Sequence, residues 1–210
     1  TTDSLLANSV AELIVQHILF LSRNFFEIYQ ESKPKWVRSY GNLIYKKKIG
    51  IIGYGRIGHK LAQILKSFEP ANIYIYDNNL SKNVYFPKNS KLINNLKLLF
   101  RYSDIISINL PLTKSTKFLI NKEILHCAKK KLILINTSRA EIINKKDLVE
   151  FLKSNKEVKV GFDVFYDEPS YKPFLNYKNV SYSSHIGSYT LESRTNMELK
   201  AINIISNLIK

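Results

Sequence analysis

Three glycines set the spacing Gly53-Tyr54-Gly55-Arg56-Ile57-Gly58. The apolar run Ile49-Gly53 ahead of them reads as a buried strand. Ile57, Leu61, Ala62 and Leu65 behind them step at helical period, so the glycines fall on a strand-to-helix turn. Such a turn suits an anionic ligand. Gly53 permits the tight turn, Gly55 lets the backbone approach a pyrophosphate, and Gly58 lets helix and strand pack closely. The amides of Arg56 and Ile57, at the start of the helix, then face the phosphates. Asp77 closes the next apolar run, nineteen residues after Gly58. A carboxylate at that place accepts hydrogen bonds from a ribose diol and repels a 2′-phosphate, so the pattern predicts NAD rather than NADP. Asn78, Ser81 and Lys82 beside it soften that discrimination.

Three later segments carry the other reactive side chains: Leu134-Ile135-Asn136-Thr137-Ser138-Arg139, then Gly161-Phe162-Asp163-Val164-Phe165-Tyr166-Asp167-Glu168-Pro169, then Ser183-Ser184-His185-Ile186-Gly187-Ser188. Each follows an apolar run that reads as a strand, and ligands of open α/β sheets bind where strands end. An Arg, an acid and a His brought together there make an acid–base set with a cationic anchor. Five of the seven glycines (Gly53, Gly55, Gly58, Gly161 and Gly187) lie in these motifs.

The elements that must position these residues follow from periodicity. Strands are expected at Ile49-Gly53, Ile73-Tyr76, Ile105-Leu110, Leu132-Asn136 and Val158-Phe162, with a further run at Val180-Ser183. Helical stretches are expected near Ile57-Ser67, Leu92-Arg101, Asn121-Cys127 and Lys145-Ser154. That alternation predicts an α/β fold with a Rossmann-type, doubly wound parallel sheet flanked by helices. An amphipathic helix over about 9–30 precedes it, opened by a capping box at Ser9-Val10-Ala11-Glu12, and a closing helix spans about 191–210. His17, His59 and His126 show no ligand partner in the pattern and read as structural.

The 210 residues, 45% hydrophobic and 23% charged, suit one folded domain rather than a disordered or fibrous chain. No uninterrupted apolar run reaches membrane-spanning length, and Thr1-Thr2-Asp3-Ser4 lacks the basic head of a secretion signal, so a soluble, cytoplasmic protein with no membrane partner is expected. A single cysteine, Cys127, excludes an internal disulfide framework and a cysteine zinc cluster, and no metal is expected. Thirty-two Lys and Arg against seventeen Asp and Glu give +15, but Lys46-Lys48, Lys129-Lys131 and Lys145-Lys146 are short, scattered runs. They read as a solvated basic surface, which argues against a nucleic-acid partner.

In this order and spacing, the motifs resemble the NAD-binding domain of the D-isomer-specific 2-hydroxyacid dehydrogenases. The likeness runs from Ser9-Val10-Ala11-Glu12 through the glycine turn, Leu110-Pro111-Leu112-Thr113 and Asn136-Arg139 to His185-Ile186-Gly187-Ser188. The resemblance implies that Arg139, Glu168 and His185 are the catalytic set. His185 would give a proton to, or take one from, the oxygen at the carbon that exchanges hydride, while Glu168 holds the ring and favours its charged form. Arg139 would offer a planar fork to the substrate carboxylate. The resemblance further places Asp163 at the nicotinamide amide, and Leu110, Pro111, Thr137, Ser138, Gly187 and Ser188 along the cofactor.

Within the family, His185-Ile186-Gly187-Ser188-Tyr189-Thr190 and Met197-Glu198 look most like phosphoglycerate dehydrogenases of serine biosynthesis. Glyoxylate or hydroxypyruvate reductase, and an NAD-sensing corepressor, are the alternatives. The chain departs from the family at Ala140-Glu141, where two small residues are usual, and at Ser184, where proline is usual. The family's related formate dehydrogenases carry Gln where Glu168 stands, so Glu168 points to hydroxyacid chemistry. The family also has an N-terminal substrate domain and dimerises through the cofactor domain. This chain, whose only methionine is Met197, is therefore expected to be the cofactor half of a longer homodimeric enzyme, poorly active alone.

The first expected outcome is calorimetric: NADH binds in preference to NADPH, and Asp77→Ala weakens NADH binding. Equal affinity for the two, unaltered in Asp77→Ala, would refute the role of Asp77.

Overall fold

Seven strands, all parallel, form one sheet in the order β3-β2-β1-β4-β5-β6-β7. They appear in a computed structural model that describes residues 4–25, 36, 38–80, 85–175 and 177–208. In chain order the elements are α1 (Ser4–Ser22), β1 (Lys48–Ile52), α2 (Arg56–Lys66), β2 (Asn72–Tyr76), β3 (Ser90–Leu92), α3 (Leu96–Tyr102), β4 (Ile105–Ile108), α4 (Lys122–Leu125), β5 (Ile133–Asn136), α5 (Lys145–Ser154), β6 (Lys159–Phe162), β7 (Val180–Tyr182) and α6 (Leu191–Leu208). A single 3₁₀ turn, Ala140–Ile142, follows β5.

The continuous apolar character of the strands is explained by burial on both faces. Ile49, Ile51, Ile73, Ile75 and Ile135 pack with Ile14 and Ile18 of α1 and Leu61 and Leu65 of α2. Their alternate neighbours Ile52, Ile106, Ile108, Leu134 and Val160 pack on the opposite face with Leu99, Leu125, Leu148 and Phe151. Asparagines open three of the helices: the side chains of Asn95, Asn121 and Asn144 accept the backbone N–H of Leu98, Ile124 and Asp147.

Four features differ from the sequence expectation. Helix α1 begins at Ser4, five residues before Ser9, so Ser9 is not a capping residue; its hydroxyl donates to the Gly187 carbonyl instead (2.6 Å). The helix gives way after Ser22, where Asn24 takes a left-handed φ of 54°, and the expected continuation over 26–30 lies outside the described residues. Strand β3 is short, polar and at the sheet edge, which hides it from hydrophobic patterning; it takes Leu92 from the expected helix, which starts at Leu96. Lastly, α1 is long and apolar enough to cross a membrane by length and composition, although no uninterrupted run showed it. In the fold, ten of its nineteen residues are buried. The other boundaries agree to within about three residues, and α6 ends at Leu208 with 209–210 outside the described residues.

Gly58 ties the first βα unit together, because a Cβ there would lie 2.1 Å from the Gly53 carbonyl oxygen. Gly58→Ala forces the turn away from the helix and is expected to cost about 1–3 kcal/mol, read as a lower urea midpoint at unchanged slope.

Candidate functional site

With all strands parallel, the residues that follow them gather on one edge. The chain leaves β1 toward β2 on one side and returns to β4 on the other, so the crevice between those connections opens beside the glycine turn. Gly53 has φ 90°, a conformation that glycine tolerates, and its N–H donates to the Tyr76 carbonyl (2.8 Å). Asp77, at the end of β2, fastens this turn: one carboxylate oxygen accepts from the Tyr54 N–H (2.7 Å), the other from the Asn79 N–H (2.7 Å). It therefore braces the glycine turn from the position where a ribose diol would meet it.

Gly55 is different from its neighbours. Among the described residues a Cβ there would meet nothing within 4 Å, so their packing does not explain the glycine, whereas close approach by a phosphate does. No side chain among the described residues caps α2, and the first-turn N–H groups of Arg56 and Ile57 have no intrahelical acceptor. Open space, unscreened amides and the positive end of a helix fit a pyrophosphate.

The next strand ends build the wall of the crevice. Leu110 approaches Gly53, and the Pro111 carbonyl accepts from Thr116 Oγ1 (2.6 Å), which folds the 111–116 loop on itself. Ser138 Oγ donates to the Ile108 carbonyl (2.8 Å), bridging β5 to β4. Asn136 is fully buried; its amide donates to the Arg139 carbonyl (2.9 Å) and its oxygen accepts from the Ser138 N–H (3.1 Å). Between them Thr137 is half-buried, and Arg139 is exposed with one guanidinium N–H on the Ser138 carbonyl (2.6 Å).

Across the crevice, the His185 ring meets Glu168, with Nδ1 2.9 Å from Oε2. Glu168 Oε1 accepts from the Phe165 N–H (2.9 Å). Burial pushes the Glu168 carboxyl up, but the bonds from His185 and Phe165 and the charges of His185 and Arg139 outweigh it and hold the group below the usual carboxylate range. Arg139 thus acts electrostatically on the same carboxylate that orients the imidazole. His185 itself has φ 56°, an uncommon conformation for a residue with a Cβ. Asp163 supports it: one oxygen accepts from Ser183 Oγ (2.6 Å) and the Ile186 N–H (2.8 Å), the other from the Gly187 N–H (2.8 Å). Ser184, where the family's proline is absent, is tied to the Tyr171 hydroxyl instead. Ser188 follows, half-buried.

Behind this loop lies a residue that the sequence assigned only to packing. His17 of α1 is buried, with Nδ1 2.8 Å from Ser181 Oγ and Nε2 3.1 Å from Ser183 Oγ. Burial lowers its pKa to about 4, against a smaller upward pull from Asp163. Nothing in the periodicity of α1 marks its role; the only signal is a polar residue on the apolar stripe. Outside the site, His59 packs edge-on against Tyr54 and His126 Nδ1 bonds the Lys122 carbonyl, in keeping with structural roles. Glu141, the other departure, stands near Tyr166, whose phenol is pushed up by burial first and by that carboxylate second.

The family described as "D-isomer specific 2-hydroxyacid dehydrogenase, NAD binding domain" matches residues 15–187. A glyoxylate reductase of Pyrococcus horikoshii is 39% identical over 175 residues, covering 82% of this chain and 51% of that protein. A D-3-phosphoglycerate dehydrogenase of Methanocaldococcus jannaschii is 34% identical over 190 residues, covering 89% of this chain and 36% of that protein. Among solved structures, an NAD-dependent formate dehydrogenase from Staphylococcus aureus in complex with NAD superposes with a TM-score of 0.87 at 30% identity, over 100% of this chain and 64% of that one. The chain spans about half the length, or less, of these two curated relatives.

Two outcomes follow from the geometry. Gly55→Ala leaves urea stability within about 1 kcal/mol of the parent yet weakens NADH binding at least tenfold by calorimetry, whereas an unchanged affinity would disconnect this turn from the cofactor. For His17, the folded-state pKa of about 4 lies below the ordinary 6.5. Below pH 6.5 the unfolded chain takes up a proton that the folded chain refuses. Stability therefore falls as pH drops from 6.5 to about 4, by about 3 kcal/mol over that window. Urea unfolding at the two limits measures it, and His17→Gln lacks that component.

Proposed function

This chain belongs to the D-isomer specific 2-hydroxyacid dehydrogenase family as its NAD-binding domain, and we propose that the intact protein reduces a short 2-oxo acid, glyoxylate or hydroxypyruvate, with NADH. The observation that carries this reading is the His185–Glu168 pair, 2.9 Å apart on the segments that follow β7 and β6, at the same edge of the parallel sheet as the glycine turn after β1. Bound NADH would supply the hydride to the carbonyl carbon.

The chain's own residues would do the rest. With Nδ1 held by Glu168, His185 keeps Nε2 for the substrate oxygen, giving it a proton in reduction and taking one in oxidation. Glu168, held below its ordinary range, stays ionised and favours the imidazolium. Arg139 offers the substrate carboxylate two parallel N–H groups, and its exposure leaves the fork reachable. The amides of Arg56 and Ile57 would take the pyrophosphate, Asp77 the adenosine ribose, and Leu110, Pro111, Thr137, Ser138, Asp163, Gly187 and Ser188 would line the remainder.

A D-3-phosphoglycerate dehydrogenase is the second reading, favoured by the motif over His185–Thr190 and by the Methanocaldococcus jannaschii relative. The glyoxylate reading leads because the relative of higher identity carries that name. Under either, the 210 residues are the cofactor half, a separate substrate domain closes the cleft, and two copies associate.

Initial rates of the intact protein with glyoxylate, hydroxypyruvate and 3-phosphoglycerate separate the readings. In the better substrate, His185→Asn lowers kcat by about 10²–10⁴ while NADH affinity stays within a few-fold. Arg139→Lys raises KM for the 2-oxo acid. Turnover by the 210 residues alone at ~10 s⁻¹ would overturn the division of labour, and undiminished kcat in His185→Asn would overturn the mechanism.

A further inference from the structure

We propose that His17, on the first helix, is a positioning residue for His185, acting through Ser183 and Asp163; this rests on the reading of His185 as the proton donor.

Asp163 is buried and its two oxygens take the N–H groups of Ile186 and Gly187, so its carboxylate serves here as the acceptor. Ser183 must therefore spend its hydroxyl proton on Asp163, at 2.6 Å, and present a lone pair to His17. That makes His17 Nε2–H the donor to Ser183, which leaves Nδ1 to accept from the Ser181 hydroxyl at 2.8 Å. One neutral tautomer satisfies all four groups. Ser181 lies in β7 and Ser183 directly follows its last residue, two positions on, and both side chains meet His17.

The chain of bonds continues into the reactive loop. Asp163 takes the N–H groups of Ile186 and Gly187, the two residues immediately after His185. Those bonds fix the turn in which His185 adopts its left-handed φ of 56°. Fixing the backbone there aims the imidazole at Glu168. Helix α1 also reaches the loop a second time, through Ser9 and the Gly187 carbonyl. Ser9 and His17 are eight residues apart, just over two helical turns, and so share the face of α1 that meets the sheet edge.

The seat of the ring is shaped for it. A Cβ on Gly161 of β6 would come within 3.1 Å of His17 Cβ and Cγ and within 2.8 Å of Ile135 Cδ1. An apolar side chain at 17 would fill this space and still leave Ser183 without its donor. Positioning is thereby separable from packing.

The test uses ring-nitrogen NMR of the 210-residue chain together with steady-state rates of the intact protein. In the parent, His17 is expected as the neutral Nε2–H tautomer. In His17→Leu, the His185 ring signals shift and its titration curve moves. In the intact protein, kcat then falls about tenfold, with KM for NADH and for the 2-oxo acid changed less than twofold. His17→Gln, which keeps one donor and one acceptor, restores most of kcat. A folded His17→Leu with unmoved His185 signals and kcat within twofold of the parent would overturn the proposal. Should His17→Leu fail to fold, Ser183→Ala decides: a displaced His185 supports the relay, an unmoved one refutes it. The NMR arm needs no turnover, so an intact protein inactive on every 2-oxo acid would fail the functional reading while leaving the relay to be decided by the ring signals.

Discussion

A carboxylate buried at the end of β6 can persist only if its oxygens are satisfied, and the way Asp163 is satisfied determines the shape of the loop around His185. Leaving it with an empty acceptor would cost more than an ordinary lost hydrogen bond, because the group is charged and out of contact with water. Its three donors come from Ser183 and from the backbone of Ile186 and Gly187. These are the residues on either side of the His185 turn. The backbone strain at His185, of order 1–2 kcal/mol for a left-handed residue bearing a Cβ, persists because the carboxylate holds the two peptides beyond it. Breaking the turn would orphan a buried charge.

The same logic of obligatory pairing runs through the other strand ends. Asp77 uses both oxygens on backbone N–H groups and so couples β2 to the glycine turn. Asn136 ties Ser138 and Arg139 to β5, and Ser138 ties that corner to β4. The loops after β2, β5 and β6 are each held by a polar side chain at or just beyond the end of the strand. The parallel sheet supplies the common edge, and these polar residues give the loops that follow β2, β5 and β6 a fixed geometry. Rigid elements below and short polar braces above are what a preorganised site requires.

The strands were legible because burial on both faces demands uninterrupted Ile, Leu and Val, and the glycine turn was legible because its backbone constraints at Gly53 and Gly58 exclude other residues. Gly58 could not be anything larger. Motif and order single out Asp77, Arg139, Glu168 and His185 as candidates, and the structure brings His185 to Glu168. Three kinds of feature were not. Strand β3 has no hydrophobic signature because it is a polar edge. The start of α1 was obscured by Ser9, a residue type that favours helix caps but here serves a tertiary bond. The third is the relay through His17. Contacts between residues 164 and 166 positions apart leave no periodic trace; only pairing of buried polar groups reveals them.

The side chains of His185 and Glu168 are 46% and 39% accessible, and an ion pair so wetted contributes little to stability. Its orientation therefore has to come from elsewhere: from the Phe165 N–H on Glu168 and from the Asp163-held turn under His185. A site whose facing groups are aimed by backbone N–H bonds rather than by their own attraction keeps its geometry while open to solvent. When a second domain covers the cleft, as the proposed function requires, water leaves and the attraction strengthens without rearrangement. The interior carries the cost of alignment, so closure can act on electrostatics alone.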